Sequence, residues 1–403
     1  MSITFMMDAL HAQTGGTNCA LPAVMVMNNG TAVTSVAQWR ERRQELLHLL
    51  RLQMYGQSPG RPENMAFKVF DEDKHALNGK ATRKQITVFF NGQADGPQMD
   101  LLIYIPNNIK RPPVILGLNF YGNHAVCTDK AVKITTSWMD NNDAGVVNNR
   151  ATDAGRGTDT SRWPLDMILG HGYALVTAYR GDIDPDYDDG FKNGVHALYP
   201  ELQNRGDNFA TIAAWAWGLS RAMDYIETDK DLDAKHVVAF GWSRLGKAAL
   251  WAGANDERLG IVISNESGAG GAKLFHHING ENIRRLCTVF PHWFNTNFRK
   301  YMDKDSCLPF DQHMVISLIA PRPVYIASAA DDNNADPPGE FLTAKAADPV
   351  YRFLGTKGLP AEIMPPIGHP VYAQIGYHIR TGKHDVTRYD WQQYLTFIDS
   401  HFK

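Results

Sequence analysis

Little in this sequence marks it as a nucleic-acid or membrane protein. Lysine and arginine number 40 against 43 aspartates and glutamates, a formal charge of −3. There is thus no basic excess to neutralise a phosphate backbone and no acidic tail for a basic partner. No apolar run approaches the ~20 residues of a membrane span. The first residues, Met1-Ser2-Ile3-Thr4-Phe5-Met6-Met7-Asp8, carry neither a positive leader nor a long apolar stretch, and do not read as a signal peptide. Cysteine is scarce. Cys19, Cys127, Cys287 and Cys307 lack close metal-ligand spacing, so buried free thiols are the simplest reading, with room for one disulfide. His276-His277 is no metal pair, because adjacent residues point apart on regular elements. Neither a metal nor a cofactor is expected. Internal repeats and low-complexity tracts are absent.

Aromatic residues are plentiful: 9 Trp, 15 Tyr and 18 Phe, enough for a large core and for flat faces that pack on sugar rings. A chain of 403 residues exceeds the usual domain size, but one α/β domain with long insertions reaches it. We expect residues 1–80 to form an N-terminal extension packed on the core and residues 81–403 to form a single catalytic domain. Ser35 to Tyr55 reads as a helix whose apolar face is Trp39, Leu46, Leu47, Leu50 and Leu52. Strands are expected from about Thr82, over Gln85 to Phe90 and Met99 to Ile105, as a hairpin or meander. Short continuous apolar runs then follow at 113–118, 173–178, 236–240, 260–263 and 323–327, as strands buried on both faces require. Helical patterns lie between them, chiefly at 208–227 and 246–253, and a last helix runs from Tyr389 to Phe402. Strands alternating with helices predict a mostly parallel sheet covered on both faces, an α/β three-layer sandwich. The polar stretch 121–165 reads as a long loop, of a length that is usually functional or mobile.

The most telling run is Val237-Val238-Ala239-Phe240-Gly241-Trp242-Ser243-Arg244-Leu245-Gly246-Lys247. An apolar strand meets a glycine, one bulky residue and a serine, and a helix follows at once. That context holds a serine on a sharp, strained turn as a nucleophile. Gly241 permits the turn, and Gly246 lets the helix pack close to the next strand. Helix capping is the competing reading of Ser243. A serine hydroxyl needs a base to take its proton. Two acids follow strands, Glu266 and Asp332, and His384 sits in a glycine-containing loop before the last helix. Serine, acid, histidine is the chain order of α/β hydrolases. We place Glu266 ahead of Asp332 as the partner of His384. The rival histidines have structural readings: His378 alternates within an apolar stretch, His401 lies in the terminal helix, and His369 is left without a role. His124 is divided between a loop role and shaping the oxyanion side. Arg180-Gly181-Asp182 reads as a strand-end ion pair or turn.

Taken together, Gly241-Trp242-Ser243-Arg244-Leu245-Gly246-Lys247, Gly117 to His124, Glu266-Ser267-Gly268, Phe290 to Phe294, Asp311-Gln312-His313, Ala320 to Tyr325 and Gly376 to Arg380 with His384 resemble carbohydrate esterase family 15, the glucuronoyl esterases. The resemblance runs from about Gly117 to the C-terminus. It implies an α/β-hydrolase fold and a triad of Ser243, Glu266 and His384. It further implies a second acid at Asp332 and an oxyanion role for Arg244. Lys247 and Glu281 are implied to contact the uronic acid. Many members carry a sugar-packing tryptophan where this chain has Asn334, so part of the uronate pocket is either missing or replaced by another aromatic such as Trp293, with Trp293 and Asn334 both expected at the substrate. The implied reaction is hydrolysis of glucuronoyl esters that link glucuronoxylan to lignin alcohols. The alternatives are an acetyl xylan esterase and a non-catalytic carbohydrate-binding protein. A monomer without nucleic-acid or membrane partners is expected. Family habit suggests export.

Overall fold

The computed structural model describes residues 19–403. Its eleven strands are β1 (Ala66–His75), β2 (Ala81–Phe89), β3 (Gln98–Pro106), β4 (Pro113–Asn119), β5 (Val146–Val147), β6 (Arg150–Ala151), β7 (Ala174–Tyr179), β8 (Asp233–Trp242), β9 (Ile261–Asn265), β10 (Val324–Ala329) and β11 (Ile375–Arg380). Nine of them form one sheet in the order β1-β2-β3-β7-β4-β8-β9-β10-β11, and β5 and β6 make a separate ribbon. The first three strands form an antiparallel meander, and β3 meets β7 antiparallel. From β7 onward every neighbour is parallel. This is the α/β-hydrolase arrangement. The central strands are buried along their whole length, which is why their sequences read as continuous apolar runs rather than as alternation.

Helices cover both faces. The Val36–Leu50 helix starts at a capping box, in which Ser35 and Gln38 each satisfy the other's backbone N–H. It buries Trp39, Leu46, Leu47 and Leu50, four of the five residues expected on its apolar face. A single wider turn, Arg51–Tyr55, extends it, and Gly56 ends it at φ 92°. A side chain there would strike the Asn208 carbonyl. Tyr55 then stacks on Trp251 at 4.0 Å and donates to the Gly270 carbonyl, tying the N-terminal segment to the core. The first 80 residues also supply β1, an edge strand of the main sheet, so they add to the sheet as well as packing on it. Cys19 and Cys307 form a disulfide, while Cys127 and Cys287 are free. The simplest reading of four free thiols is therefore corrected for one pair, whose partners stand 288 residues apart and could not be matched by spacing.

The parallel strands all end at one edge of the sheet. Ser243 follows β8, Glu266 follows β9 and Asp332 lies just past β10, while His384 sits in the loop after β11. Open α/β sheets bind ligands in the crevice at this edge.

Candidate active site

Ser243 lies between the end of β8 and the Arg244–Asn255 helix, with φ 54° and ψ −133°. A side chain at Gly241 would stand 2.1 Å from the Leu245 carbonyl oxygen, so only glycine allows so tight a turn. One at Gly246 would stand 2.9 Å from Ser267 Cβ and 3.0 Å from Ser264 Oγ, so its absence lets the helix seat against β9. Ser243 N–H donates to Asn265 O at 2.9 Å, which pins the turn to the neighbouring strand end. The side chain does not cap the helix, so the competing reading of this serine fails.

Glu266 directly follows that strand end at φ 46°. His384 Nδ1 stands 2.6 Å from Asp332 Oδ2 and 3.2 Å from Glu266 Oε2. The side chain of His384 is 39% exposed, and its ring lies 5.0 Å from that of Trp242, the residue before Ser243. His384 and both acids therefore meet at the strand ends where the Ser243 turn also lies. Among the described residues Ser243 Oγ has no hydrogen-bond partner. Such contacts are often long before substrate binds.

The two acids differ in environment. Burial opposes the charge of Asp332, but the His384 hydrogen bond and charge hold its pKa below the usual aspartate value. Burial raises Glu266 to about 7, against the pull of His384 and Arg380. Burial also opposes the imidazolium of His384, yet Asp332 and Glu266 together raise it to about 9. The sequence ranking put Glu266 first. The geometry favours Asp332, whose contact is shorter, whereas Glu266 accepts from Arg380 Nη2 at 2.5 Å and from the Asp385 backbone at 3.1 Å. Donor atoms of Glu266, Asp332 and His384 lie within 4.8 Å of one another, a spacing that a metal ion can bridge. Arg380 Nη2 already meets Glu266 Oε1, so a cation occupies one side of this cluster.

Arg244 opens the helix, so its backbone N–H has no intrahelical acceptor. Its guanidinium bonds Asp186 through Nη1, and its carbon lies 4.7 Å from the Trp293 ring centre. Asp186 was not anticipated. It also takes hydrogen bonds from Arg180, from His292 Nε2 at 2.9 Å and from Trp293 Nε1 at 2.8 Å. Burial works against its charge, but Arg180, His292 and Arg244 keep its pKa well below the usual range. The only signal lay in Arg180-Gly181-Asp182, whose expected ion pair forms with Asp186 rather than within the motif. Asp182 instead accepts from Thr135, Ser137 and the Asp100 backbone.

Trp293 does not fill the expected place. It is 2% exposed, and Phe290 stacks on it at 3.7 Å. With Arg244 also over the ring, Trp293 offers no free face to a sugar and serves as a platform for the arginine. Lys247 also departs from expectation. It is buried, and Nζ donates to Ser267 O at 2.5 Å and Ala269 O at 2.7 Å, with Glu281 at 3.6 Å. Burial lowers its pKa. Its donors hold the turn beyond Glu266 rather than facing the crevice. Glu281 is partly exposed, and its backbone N–H donates to Asn334 O at 3.0 Å, which brings these two expected substrate contacts side by side. Asn334 itself is exposed. His378 is buried against Asp390, as its structural reading required. His124 is buried too, where burial and Arg156 lower its pKa to about 4.

A family model described as "Glucuronyl esterase, fungi" matches residues 165–355. A carbohydrate esterase, MZ0003, from an unknown prokaryotic organism is 48% identical over 388 residues, covering 94% of this chain and 89% of that protein. A solved glucuronoyl esterase from Solibacter usitatus superposes with a TM-score of 0.90 at 45% identity, over 96% of this chain and 98% of its own. A 4-O-methyl-glucuronoyl methylesterase 1 from Phanerochaete chrysosporium is 27% identical over 376 residues, 90% of this chain and 66% of that protein.

Proposed function

The chain belongs to carbohydrate esterase family 15, the glucuronoyl esterases, and from that premise we propose that it is a serine esterase hydrolysing esters of 4-O-methyl-glucuronic acid through an acyl-enzyme. The observation that carries this reading is His384 Nδ1 set between two carboxylates, beside the strained turn that displays Ser243. His384 Nε2 takes the Ser243 proton as Oγ attacks the ester carbon. The Arg244 backbone N–H, with the guanidinium that Asp186 anchors, stabilises the oxyanion; one such donor contributes about 3 kcal/mol. The imidazolium then protonates the leaving alcohol, and a water repeats the sequence to release the uronic acid. Asp332 and Glu266 stabilise the charged ring in both halves. Glu281 and Asn334 border the acyl pocket.

The Cys19–Cys307 disulfide fits an oxidising compartment and so supports export. No helix among the described residues is long and apolar enough to cross a membrane. A second reading, broader acyl tolerance that extends to acetylated xylan, is favoured by the commitment of Lys247 and Trp293 to protein contacts. Methyl 4-O-methyl-glucuronate and acetylated xylan, assayed side by side, separate the two. With either substrate, Ser243→Ala should cut kcat by about 10⁴-fold or more; hydrolysis at the wild-type rate would refute the assignment.

A further inference from the structure

Arg380 ends β11 four residues before His384, and its side chain is 6% exposed. All five of its N–H donors have acceptors. Nε meets Asp390 Oδ2 at 2.8 Å, and Nη1 meets the carbonyls of Thr381 and Lys383 at 3.0 and 3.1 Å. Nη2 meets Glu266 Oε1 at 2.5 Å and the Asp385 carbonyl at 2.6 Å. The carbonyls of Lys383 and Asp385 lie on either side of His384, so one planar group grips both neighbours of the histidine and the acid below it. Asp390 is fixed in turn. It accepts from Thr387 N at 2.7 Å at the start of the Arg388–Phe402 helix and meets His378 Nε2 at 2.8 Å, while His378 Nδ1 meets Tyr325 Oη at 2.9 Å.

We propose that Arg380 is the positioning residue of this site: it locks Glu266 and the loop 381–385 into one frame, so that Asp332 serves as the charge partner of His384 while Glu266, bound to the guanidinium, fixes the place of the ring. This rests on the reading of Ser243 and His384 given above. A lysine has a point charge without the fork and cannot hold five acceptors at once. The other charged or titratable groups around the cluster are Glu340 from the Pro337–Phe353 helix, Asp390 and Tyr394 from the last helix, His378 from β11, and Asp385, which Arg162 pairs at 2.5 Å.

The test follows the titration of His384 by NMR in ¹³C-histidine-labelled protein, together with kcat and KM on methyl 4-O-methyl-glucuronate. Arg380→Met removes a cation from beside Glu266, so the His384 midpoint should rise by about one unit. Its kcat should fall about tenfold or more, with KM nearly unchanged. Arg380→Lys should keep the midpoint but still lose kcat. Glu266→Gln should move the midpoint the opposite way, downward. A midpoint that stays put in both Arg380→Met and Glu266→Gln, or a loss confined to KM, overturns the proposal. If Arg380→Met fails to fold, an unmoved midpoint in Glu266→Gln or full kcat in Arg380→Lys does so. The titration needs no turnover. Retained hydrolysis in Ser243→Ala would therefore remove the esterase reading while the NMR arm still judged Arg380.

Discussion

Ser243 and Glu266 hold φ of 54° and 46° at the ends of adjacent strands, a backbone state that costs side-chain-bearing residues about 1–3 kcal/mol each. Nothing in composition announces such strain. For Ser243 it was legible because Gly241 and Gly246 bracket it; for Glu266 it was not, since Ser267 and Gly268 also suit an ordinary turn. The ranking of the two acids was equally hidden. Both follow strands, and only the packed loop reveals that Arg380 occupies one of them. We therefore expect Asp332→Asn to be the costlier change, with kcat reduced by about 10²–10⁴-fold against about tenfold for Glu266→Gln. With neutral His384 as the proposed general base, its pKa raised by the acids to about 9, wild-type kcat/KM should climb with pH toward that value. Loss of the Asp332 charge lowers the His384 pKa, so in Asp332→Asn the climb should complete at lower pH. A profile of kcat/KM from pH 5 to pH 9 checks both statements. Equal losses, or an unmoved limb, would return the two acids to equal rank.

Among elements, those with a clear period or an unbroken apolar run were readable, including the Val36–Leu50 helix, the parallel strands and the last helix. Three of the elements missed have identifiable reasons. Strand β1 mixes Phe67 and Val69 with charges, and a register shift between Val69 and Asp71 breaks its alternation. Strand β11 contains glycine, histidine and arginine, and is a strand because Tyr325 and Asp390 satisfy His378 and Arg380 within the core. The Pro337–Phe353 helix begins with two prolines and contains Pro349, a composition that reads as loop, although proline is well suited to a first helical turn. The close seat of the Arg244–Asn255 helix on β9 yields a prediction at this scale. Gly246→Ala pushes a methyl against Ser267 beside Glu266, and should cost about 1–3 kcal/mol of stability. Thermal unfolding checks the stability and steady-state assays the accompanying fall in kcat; an unchanged melting point would mean that the helix does not pack as tightly as described.

For the whole molecule, the sheet does the arranging. Four groups separated by up to 141 residues meet because parallel strands deliver their loops to one edge. The order of serine, acid and histidine could be read from the chain, whereas the Asp186 cluster that anchors Arg244 could not, because its members come from three separate segments, 180–186, 244 and 292–293. The account stands on Ser243 carrying the acyl group between its two half-reactions. The most direct measurement is acid quenching during turnover of methyl 4-O-methyl-glucuronate, followed by peptide mass mapping. The account predicts a single 4-O-methyl-glucuronoyl adduct on the peptide bearing Ser243, lost in Ser243→Ala and strongly reduced in His384→Gln. An adduct on another residue, or one formed at the wild-type rate in His384→Gln, would contradict it.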